Sequence, residues 1–121
     1  MKLVLAVDDS AVMRQMVKFT VESAGSYRCI EAEDGQAALE ILAQHRPDMI
    51  ISDINMPRMN GYEFTRALRQ IGQFKFTPVI MLTTENNDEA MKKSKEAGAT
   101  GWMAKPFQPD KLLGVLRKFQ S

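Results

Sequence analysis

Short apolar runs alternate along the whole chain with segments that have the period of a helix. Leu3–Val7 is a continuous apolar run of the length of one strand. Runs this short and this apolar are typical of strands buried on both faces of a parallel sheet. Further strands are predicted at Tyr27–Ala32, Met49–Ile51, Pro78–Leu82 and Thr100–Ala104. The pattern therefore predicts five strands.

Apolar residues between these strands recur at helical spacing. Ser10 is suited to cap the first helix, and Gly25 is suited to end it in a left-handed conformation. The residues predicted to face the core from this helix are Val12, Met13, Met16, Val17, Thr20, Val21 and Ala24. Four further helices are predicted, after the cap at Asp34, around Phe64–Ile71, over Asn87–Ala97 and from Pro109 onward.

Strict alternation of strands and helices predicts the fold class. It indicates an α/β protein with a doubly wound, five-stranded parallel sheet covered by helices on both faces, in three layers. No linker, repeat or low-complexity segment interrupts the order, and 121 residues suffice for one domain with a real core. We therefore expect a single domain over residues 1–121 without an output domain.

The composition of the chain limits its expected partners and its expected cellular location. Sixteen basic and fifteen acidic side chains give a formal charge of +1, which offers no basic excess for nucleic acid. No apolar stretch reaches the ~20 residues of a membrane span. The single cysteine, Cys29, is expected to be a buried hydrophobe in a strand, and His45 a surface residue at a helix end. A cytoplasmic monomer is the expectation.

Charged and hydroxyl side chains follow the predicted strands where they end. Asp8 and Asp9 follow the first strand, Asp53 the third, Thr83 the fourth and Lys105 the fifth. Ligands of open parallel sheets bind beyond the carboxyl ends of the strands, so these side chains are expected to share one edge. The plain alternative is that they are ordinary polar residues at strand ends, but five with complementary charges make that alternative weaker.

This set of side chains suits phosphoryl transfer. Three neighbouring carboxylates repel one another, and Mg²⁺ relieves that repulsion while keeping coordination positions for phosphate oxygens. An aspartate can act as the nucleophile and become an aspartyl phosphate. The ammonium of Lys105 and the hydroxyl of Thr83 can then stabilise the transferring phosphoryl group.

The chain resembles the receiver domain of two-component response regulators. The resemblance covers essentially the whole chain and rests on Val7-Asp8-Asp9-Ser10, Asp53-Ile54-Asn55-Met56-Pro57, Thr83-Thr84 and Lys105-Pro106-Phe107. Each motif is short, but their order and their places at successive strand ends make the combination specific. The resemblance implies the flavodoxin-like strand order 2-1-3-4-5.

The resemblance also implies roles for single residues. Asp53 is then the phosphoacceptor. Asp9 ligates Mg²⁺ directly, Asp8 mainly through water, and Asn55 through its backbone carbonyl. A cis Lys105–Pro106 bond is implied as well.

The switch residues implied by the resemblance are Thr83, Lys105 and Trp102. Trp102 stands where the family commonly has Tyr or Phe, so its switching is altered or partly pre-set, or it is simply packed on the surface. Asn55 and Glu85 occupy the positions that tune dephosphorylation and phosphatase access, and both resemble the chemotaxis type.

The implied partners are a histidine kinase of the chemotaxis type, a flagellar motor switch protein and a phosphatase. The partner face is expected to include Lys92, Lys95, Trp102 and Lys111, within a basic surface that also contains Lys93, Arg117 and Lys118. A solvated basic face is the plain alternative. The predicted function is a signalling switch in chemotaxis and motor control, and the alternative is a phosphate sink or adaptor.

Two functions of other classes fit the sequence less well. A phosphatase with an Asp nucleophile, of the haloacid-dehalogenase type, needs a second Asp two residues later, where this chain has Asn55. A flavodoxin-like electron carrier needs a phosphate loop after the first strand, where Asp8 and Asp9 would repel FMN phosphate. We therefore expect no turnover of an external substrate.

Overall fold

The computed structural model describes residues 1–84 and 88–119. The strands are β1 Lys2–Val7, β2 Tyr27–Ala32, β3 Met49–Asp53, β4 Val79–Thr83 and β5 Gly101–Ala104. The helices are α1 Ala11–Ser23, α2 Gly35–Leu42, α3 Gly61–Arg69, α4 Asp88–Ala97 and α5 Pro109–Lys118, with a 3-10 turn at Gly72–Phe74. None of the helices in these two ranges has the length and apolar character needed to cross a membrane.

The strands form one parallel sheet in the order β2-β1-β3-β4-β5, which confirms the predicted fold class and strand order. One buried cluster joins the sheet to α1 and α5 through residues such as Val21 and Leu112. A second cluster on the other face joins it to α2 and α3 through Ala38 and Phe64. The sheet therefore lies between two helical layers, and its central strands β1, β3 and β4 are almost completely buried.

Local signals in the sequence set the helix ends. The Ser10 side chain accepts a hydrogen bond from the Met13 N–H at 3.2 Å, and Asp34 accepts one from Ala37 at 2.9 Å. Both predicted caps are confirmed. Gly25 follows α1 with a φ of 82°, a left-handed conformation that glycine adopts without strain.

The predicted inner face of α1 is partly wrong. Val12 and Met16 are 68% and 46% exposed, whereas Val17, Thr20 and Val21 are buried. Val12, Met16 and the exposed Phe19 lie on one stripe at i, i+4 and i+7 spacing, beside the stripe that faces the sheet. Helical spacing was satisfied by both stripes, and only the packing of α1 on the sheet distinguishes them.

The remaining two single-residue expectations from composition agree with the structure. Cys29 is buried in β2, and burial, followed by the charge of Glu22, raises the pKa of its thiol to about 12. That pKa makes the reactive thiolate scarce at neutral pH. His45 is exposed just after α2, and its N–H donates to the carbonyl of Ile41.

Candidate functional site

The ends of β1 and β3 bring three carboxylates together. These two strands are adjacent, with Val7 opposite Ser52, so the residues that follow them project from the same edge of the sheet. Carboxylate oxygens of Asp8, Asp9 and Asp53 all lie within 4.8 Å of one another. Asp8 and Asp53 are buried, whereas Asp9 is exposed.

The carboxylate of Asp53 is held by groups from the residues that directly follow β3 and β5. Its Oδ1 accepts a hydrogen bond from the Ile54 N–H at 2.8 Å and lies 3.1 Å from Nζ of Lys105. Burial and the negative charge of Asp8 raise the pKa of Asp53, although Lys105 and the Ile54 N–H act in the opposite direction. Without a bound cation, the negative charge of ionised Asp53 is therefore not fully balanced by its neighbours.

Lys105 is the cation of this cluster. Its Nζ lies 2.9 Å from Oδ2 of Asp8 and 3.1 Å from Oδ1 of Asp53. Burial lowers the pKa of Lys105, but its hydrogen bonds and charge interactions with the two aspartates outweigh burial and raise it. Its backbone N–H donates to the Thr83 carbonyl at 2.8 Å, and the Lys105–Pro106 bond is cis, as predicted.

The β1–α1 turn holds Asp8 in place. Its Oδ1 accepts a hydrogen bond from the Ser10 N–H at 2.9 Å, and its backbone carbonyl accepts one from Arg14 at 2.6 Å. Because Ser10 also caps α1, the position of the carboxylate is coupled to the start of that helix. A carboxylate fixed by its own turn needs little reorganisation when a ligand binds.

The donor set fits a hard divalent cation. Ionised Asp8, Asp9 and Asp53 with one Lys105 leave two net negative charges in a partly buried cluster. Oxygen ligands of this kind are those that Mg²⁺ prefers, and it binds through a few carboxylates while it keeps several waters. The raised pKa of Asp53 is the electrostatic sign that another positive charge would be favourable.

Thr83 and Trp102 lie on the two strands beside Asp53. Thr83 is buried at the end of β4, next to Leu82, which pairs with Asp53. Trp102 is half-buried on β5, opposite Met81. Its side chain packs against the core cluster on the side of α2 and α3, and the residue also lines a groove beside β5 and α5.

The groove beside Trp102 has a volume of about 580 Å³ and contains part of the predicted partner face. Phe107 and Val115 contribute apolar walls, and Lys111 and Lys118 contribute positive charge. Lys92 and Lys95 are exposed on α4, as is Lys93, which pairs with Glu89 at 3.1 Å. Lys92 and Lys95 are not among the residues that line the groove.

The structure describes only one of the two positions predicted to tune dephosphorylation. Asn55 lies in the loop after β3, two residues beyond Asp53, and is exposed. Glu85 lies outside the described residues. The roles assigned to both residues stay predictions.

Reasoning from the sequence missed Arg58. Its guanidinium makes a two-pronged ion pair with the buried Asp34, with Nε 2.8 Å from Oδ2 and the second nitrogen 3.0 Å from Oδ1. Its φ of 64° is left-handed, a conformation in which Arg is uncommon, so no signal in the sequence pointed to this residue. The hydrogen bond from Arg58 is the main reason that the pKa of Asp34 is lowered.

Comparison with known proteins identifies curated relatives of two kinds. Chemotaxis protein CheY1 of Helicobacter pylori is 40% identical over 113 residues, which are 93% of this chain and 90% of CheY1. The phosphate regulon transcriptional regulatory protein PhoB of Pseudomonas aeruginosa is 35% identical over 116 residues, which are 96% of this chain. The chain spans 50% of the length of PhoB.

Solved structures give the same family. Chemotaxis response regulator CheY4 of Vibrio cholerae is 50% identical with a TM-score of 0.93, over 98% of each chain. The receiver domain of sensor histidine kinase PA1611 from P. aeruginosa is 28% identical with a TM-score of 0.89, over 98% of this chain and 96% of that one, and it has a magnesium ion in its active-site cleft. The sequence profile of the response regulator receiver domain matches residues 4–117. This chain therefore belongs to the response regulator receiver domain family of two-component signalling.

Proposed function

We propose that this receiver is a phosphorylation-dependent switch that accepts a phosphoryl group from a histidine kinase on Asp53. The observation that carries the proposal is the buried carboxylate of Asp53 beside Asp8 and Asp9, with Lys105 3.1 Å from its Oδ1. Nucleophile, counter-charge and candidate metal ligands are thus gathered before any partner binds. The chain would catalyse its own phosphorylation and dephosphorylation without turning over an external substrate.

The chemistry follows from the two oxygens of Asp53. Oδ1 is engaged by the Ile54 N–H and Lys105, so Oδ2 is the atom that we assign as the nucleophile. Oδ2 attacks phosphorus, an O–P bond forms, and the N–P bond of the phosphohistidine breaks with its electron pair returning to the imidazole nitrogen. The ammonium of Lys105 would balance charge on the phosphoryl oxygens, and the hydroxyl of Thr83 would donate a hydrogen bond to one of them.

Asp8, Asp9 and Asp53, with the backbone carbonyl of Asn55, would hold Mg²⁺. Bound Mg²⁺ would act as a Lewis acid that neutralises charge on the transferring phosphoryl oxygens. The support is the charge of the donor set and the magnesium in the PA1611 receiver domain.

Chemotaxis and control of the flagellar motor are the output that we propose. The chain covers nearly the full length of relatives named chemotaxis proteins, including CheY1 and CheY4. The groove lined by Trp102, Lys111 and Lys118 offers an apolar floor with positive charge, which suits an acidic amphipathic segment of a motor switch protein. The proposed setting is a cytoplasmic monomer that also meets a chemotaxis kinase and a phosphatase.

A phosphate sink or adaptor in another pathway is the second candidate. It is favoured by the similar match to regulators such as PhoB, which shows that the receiver sequence is shared by several outputs. A hydrolase with an Asp nucleophile is disfavoured, because Asn55 stands where that mechanism needs an acid and cannot transfer a proton.

The test is phosphorylation of the purified chain by a phosphoramidate, a small donor with an N–P bond, in the presence of Mg²⁺. Intact mass spectrometry is expected to show one added phosphoryl group, which hydroxylamine removes as expected for an acyl phosphate. Asp53→Asn should abolish the addition, and Asp110→Asn, a change of an exposed aspartate on α5, should leave it intact. Stable phosphorylation of Asp53→Asn would refute the assignment of Asp53.

A further inference from the structure

The loop between β3 and α3 is tied to the N-terminus of α2 by several contacts. The two-pronged ion pair joins Arg58 of the loop to Asp34, which also caps α2 through the Ala37 N–H. One residue further on, the Met59 carbonyl accepts a hydrogen bond from the Gly35 N–H at 3.3 Å. The loop is also closed on itself by a 2.8 Å hydrogen bond from Gly61 N–H to the carbonyl of Ile54.

This attachment adjoins the acidic cluster. One cavity of about 420 Å³ is lined by Asp9, Glu33, Asp34, Pro57 and Arg58, so the ion pair and one candidate metal ligand share the same space. Asn55 lies on the segment between Asp53 and Arg58, and only Met56 and Pro57 separate it from the ion pair. Pro57 has a fixed φ, which limits the ways in which a displacement at Arg58 can be absorbed before it reaches Asn55.

Arg58 holds this contact in an unfavourable backbone conformation. At a φ of 64° the side chain of an L-residue is strained, and glycine is the residue that fits best. Strained residues persist where surrounding contacts over-determine them, and they cluster at functional sites. The planar guanidinium of Arg58 contacts both oxygens of Asp34, and this two-pronged contact fixes the direction of the side chain as well as the distance. The contact therefore holds the strained backbone of Arg58 in place.

We propose that Asp34 and Arg58 form a clamp that positions the loop so that the backbone carbonyl of Asn55 is presented to the metal. This inference rests on the proposed function, in which Asn55 supplies that ligand. Arg58 is a positioning residue, since it acts on the site through the loop.

A purely electrostatic role and a positioning role of Arg58 predict opposite changes in Mg²⁺ affinity when this residue is removed. Arg58 carries a positive charge beside a cluster that attracts cations, so its removal would strengthen Mg²⁺ binding if charge alone mattered. If Arg58 positions a ligand, its removal weakens Mg²⁺ binding instead. Loss of an outer partner of a metal ligand typically weakens metal affinity by about tenfold or more.

The experiment is isothermal titration calorimetry of Mg²⁺ into the metal-free chain and its variants. Arg58→Gly removes the clamp but relieves the left-handed strain, so it is the variant that should fold best. Arg58→Lys keeps the charge but loses the fork. Arg46→Gly removes one charge from an exposed loop residue after α2 and is the matched control. Urea unfolding in EDTA measures the stability of each variant without metal.

We expect Mg²⁺ affinity about tenfold weaker in Arg58→Gly, an intermediate value for Arg58→Lys, and unchanged or slightly tighter binding for Arg46→Gly. The loss of Mg²⁺ affinity in Arg58→Gly should be larger than its loss of unfolding free energy in EDTA can account for. Equal or tighter binding by Arg58→Gly would overturn the clamp while leaving the metal site intact. Wild-type Mg²⁺ binding that survives Asp53→Asn unchanged would overturn the proposed metal site and the clamp together.

Discussion

At the scale of single side chains, the carboxylate of Asp53 has an unfavourable electrostatic environment when no cation is bound. Its pKa is raised by burial and by Asp8. We predict that Asp53→Asn stabilises the metal-free chain at neutral pH by roughly 1 kcal/mol, because the variant removes a buried charge that Lys105 only partly compensates. With Mg²⁺ present the order should reverse, since saturation at about 100 times the dissociation constant adds about 2.7 kcal/mol to wild type. Urea unfolding in EDTA and in Mg²⁺ measures both.

The stability difference between Asp53→Asn and wild type in EDTA should change with pH in one direction. An acid whose folded pKa is raised binds more protons when folded, so its contribution to stability decreases as pH rises from its ordinary 3.8 through the raised pKa. The advantage of Asp53→Asn in EDTA should therefore be full above the raised pKa and vanish below the ordinary value. An advantage that grows toward acid pH would contradict this electrostatic account.

The contribution of Asp34 to stability depends on pH in the opposite direction. Arg58 lowers its pKa below the ordinary 3.8, so the ion pair contributes stability above 3.8 that is lost as pH falls through the lowered value. Asp34→Asn can still cap α2, which isolates the ion pair from the cap. We predict a lower melting temperature for Asp34→Asn at neutral pH and convergence with wild type in acid. Thermal unfolding followed by circular dichroism across that range checks it.

At the level of the elements, the first residue of α3, Gly61, packs closely against the backbone at the end of β3. A methyl group added at Gly61 would collide with the backbone carbonyl of Asp53, whereas one added at Gly114 on α5 would meet open space. We predict that Gly61→Ala destabilises the chain by about 2 kcal/mol through overpacking. Gly114→Ala should stabilise it by roughly 0.8 kcal/mol, because alanine is the better helix former.

These two glycines form a matched pair, since each change adds one methyl group within a helix. Gly61→Ala should also slow phosphorylation of Asp53, because the displaced carbonyl belongs to the reacting residue itself. Gly114→Ala should leave that rate unchanged. If both variants had the same stability, the close approach of α3 to β3 would not matter energetically.

The elements also show how far the sequence predicts this molecule. The strand order was implied by the resemblance to receiver domains and not by the apolar pattern. Alternating apolar runs and caps such as Ser10 and Asp34 were sufficient for the doubly wound parallel sheet, because strict alternation of strands and helices leaves few topologies. The polar residues that follow the strands were sufficient to bring Asp8, Asp9 and Asp53 to one edge. Both inferences depend on local patterns and on sheet geometry alone.

What the sequence could not predict depends on contacts between distant segments. Arg58 and Asp34 are 24 positions apart, and a left-handed arginine has no local signature. The exposed stripe of Val12 and Met16 has the same spacing as the buried stripe beside it. In both cases several local arrangements were allowed, and tertiary packing selected one of them.

On the scale of the whole molecule, Asp53, the proposed phosphoacceptor, and the groove are joined through β4 and β5. The Lys105 ammonium contacts Asp53, and the backbone N–H of the same residue donates to the Thr83 carbonyl at 2.8 Å. Trp102 lies on the same strand as the residue paired with Thr83, Ala104, and it lines the groove. A phosphoryl group on Asp53 would therefore act on Lys105, whose backbone is hydrogen-bonded to Thr83 and directly follows the strand that carries Trp102.

Trp102, the only tryptophan of the chain, makes this connection measurable. We predict that Mg²⁺ with beryllofluoride, a mimic of the phosphoryl group, changes the wavelength and intensity of Trp102 fluorescence. The reason is that Trp102 is half-buried against a core cluster and also lines an open groove, so a small movement of this residue would alter its exposure. Asp53→Asn should abolish the response, because it removes the group to which the mimic binds.

A switch based on Trp102 should also alter binding at the groove. A difference of about 2.7 kcal/mol between the two states corresponds to about a hundredfold change in affinity for a partner segment. Lys111→Glu, which reverses charge in the groove and leaves the acidic cluster unchanged, should weaken binding of an acidic motor-switch peptide without altering the fluorescence response. If the mimic binds at Asp53 and Trp102 fluorescence does not change, Trp102 is a fixed wall of the groove, and the signal must leave the site through another element.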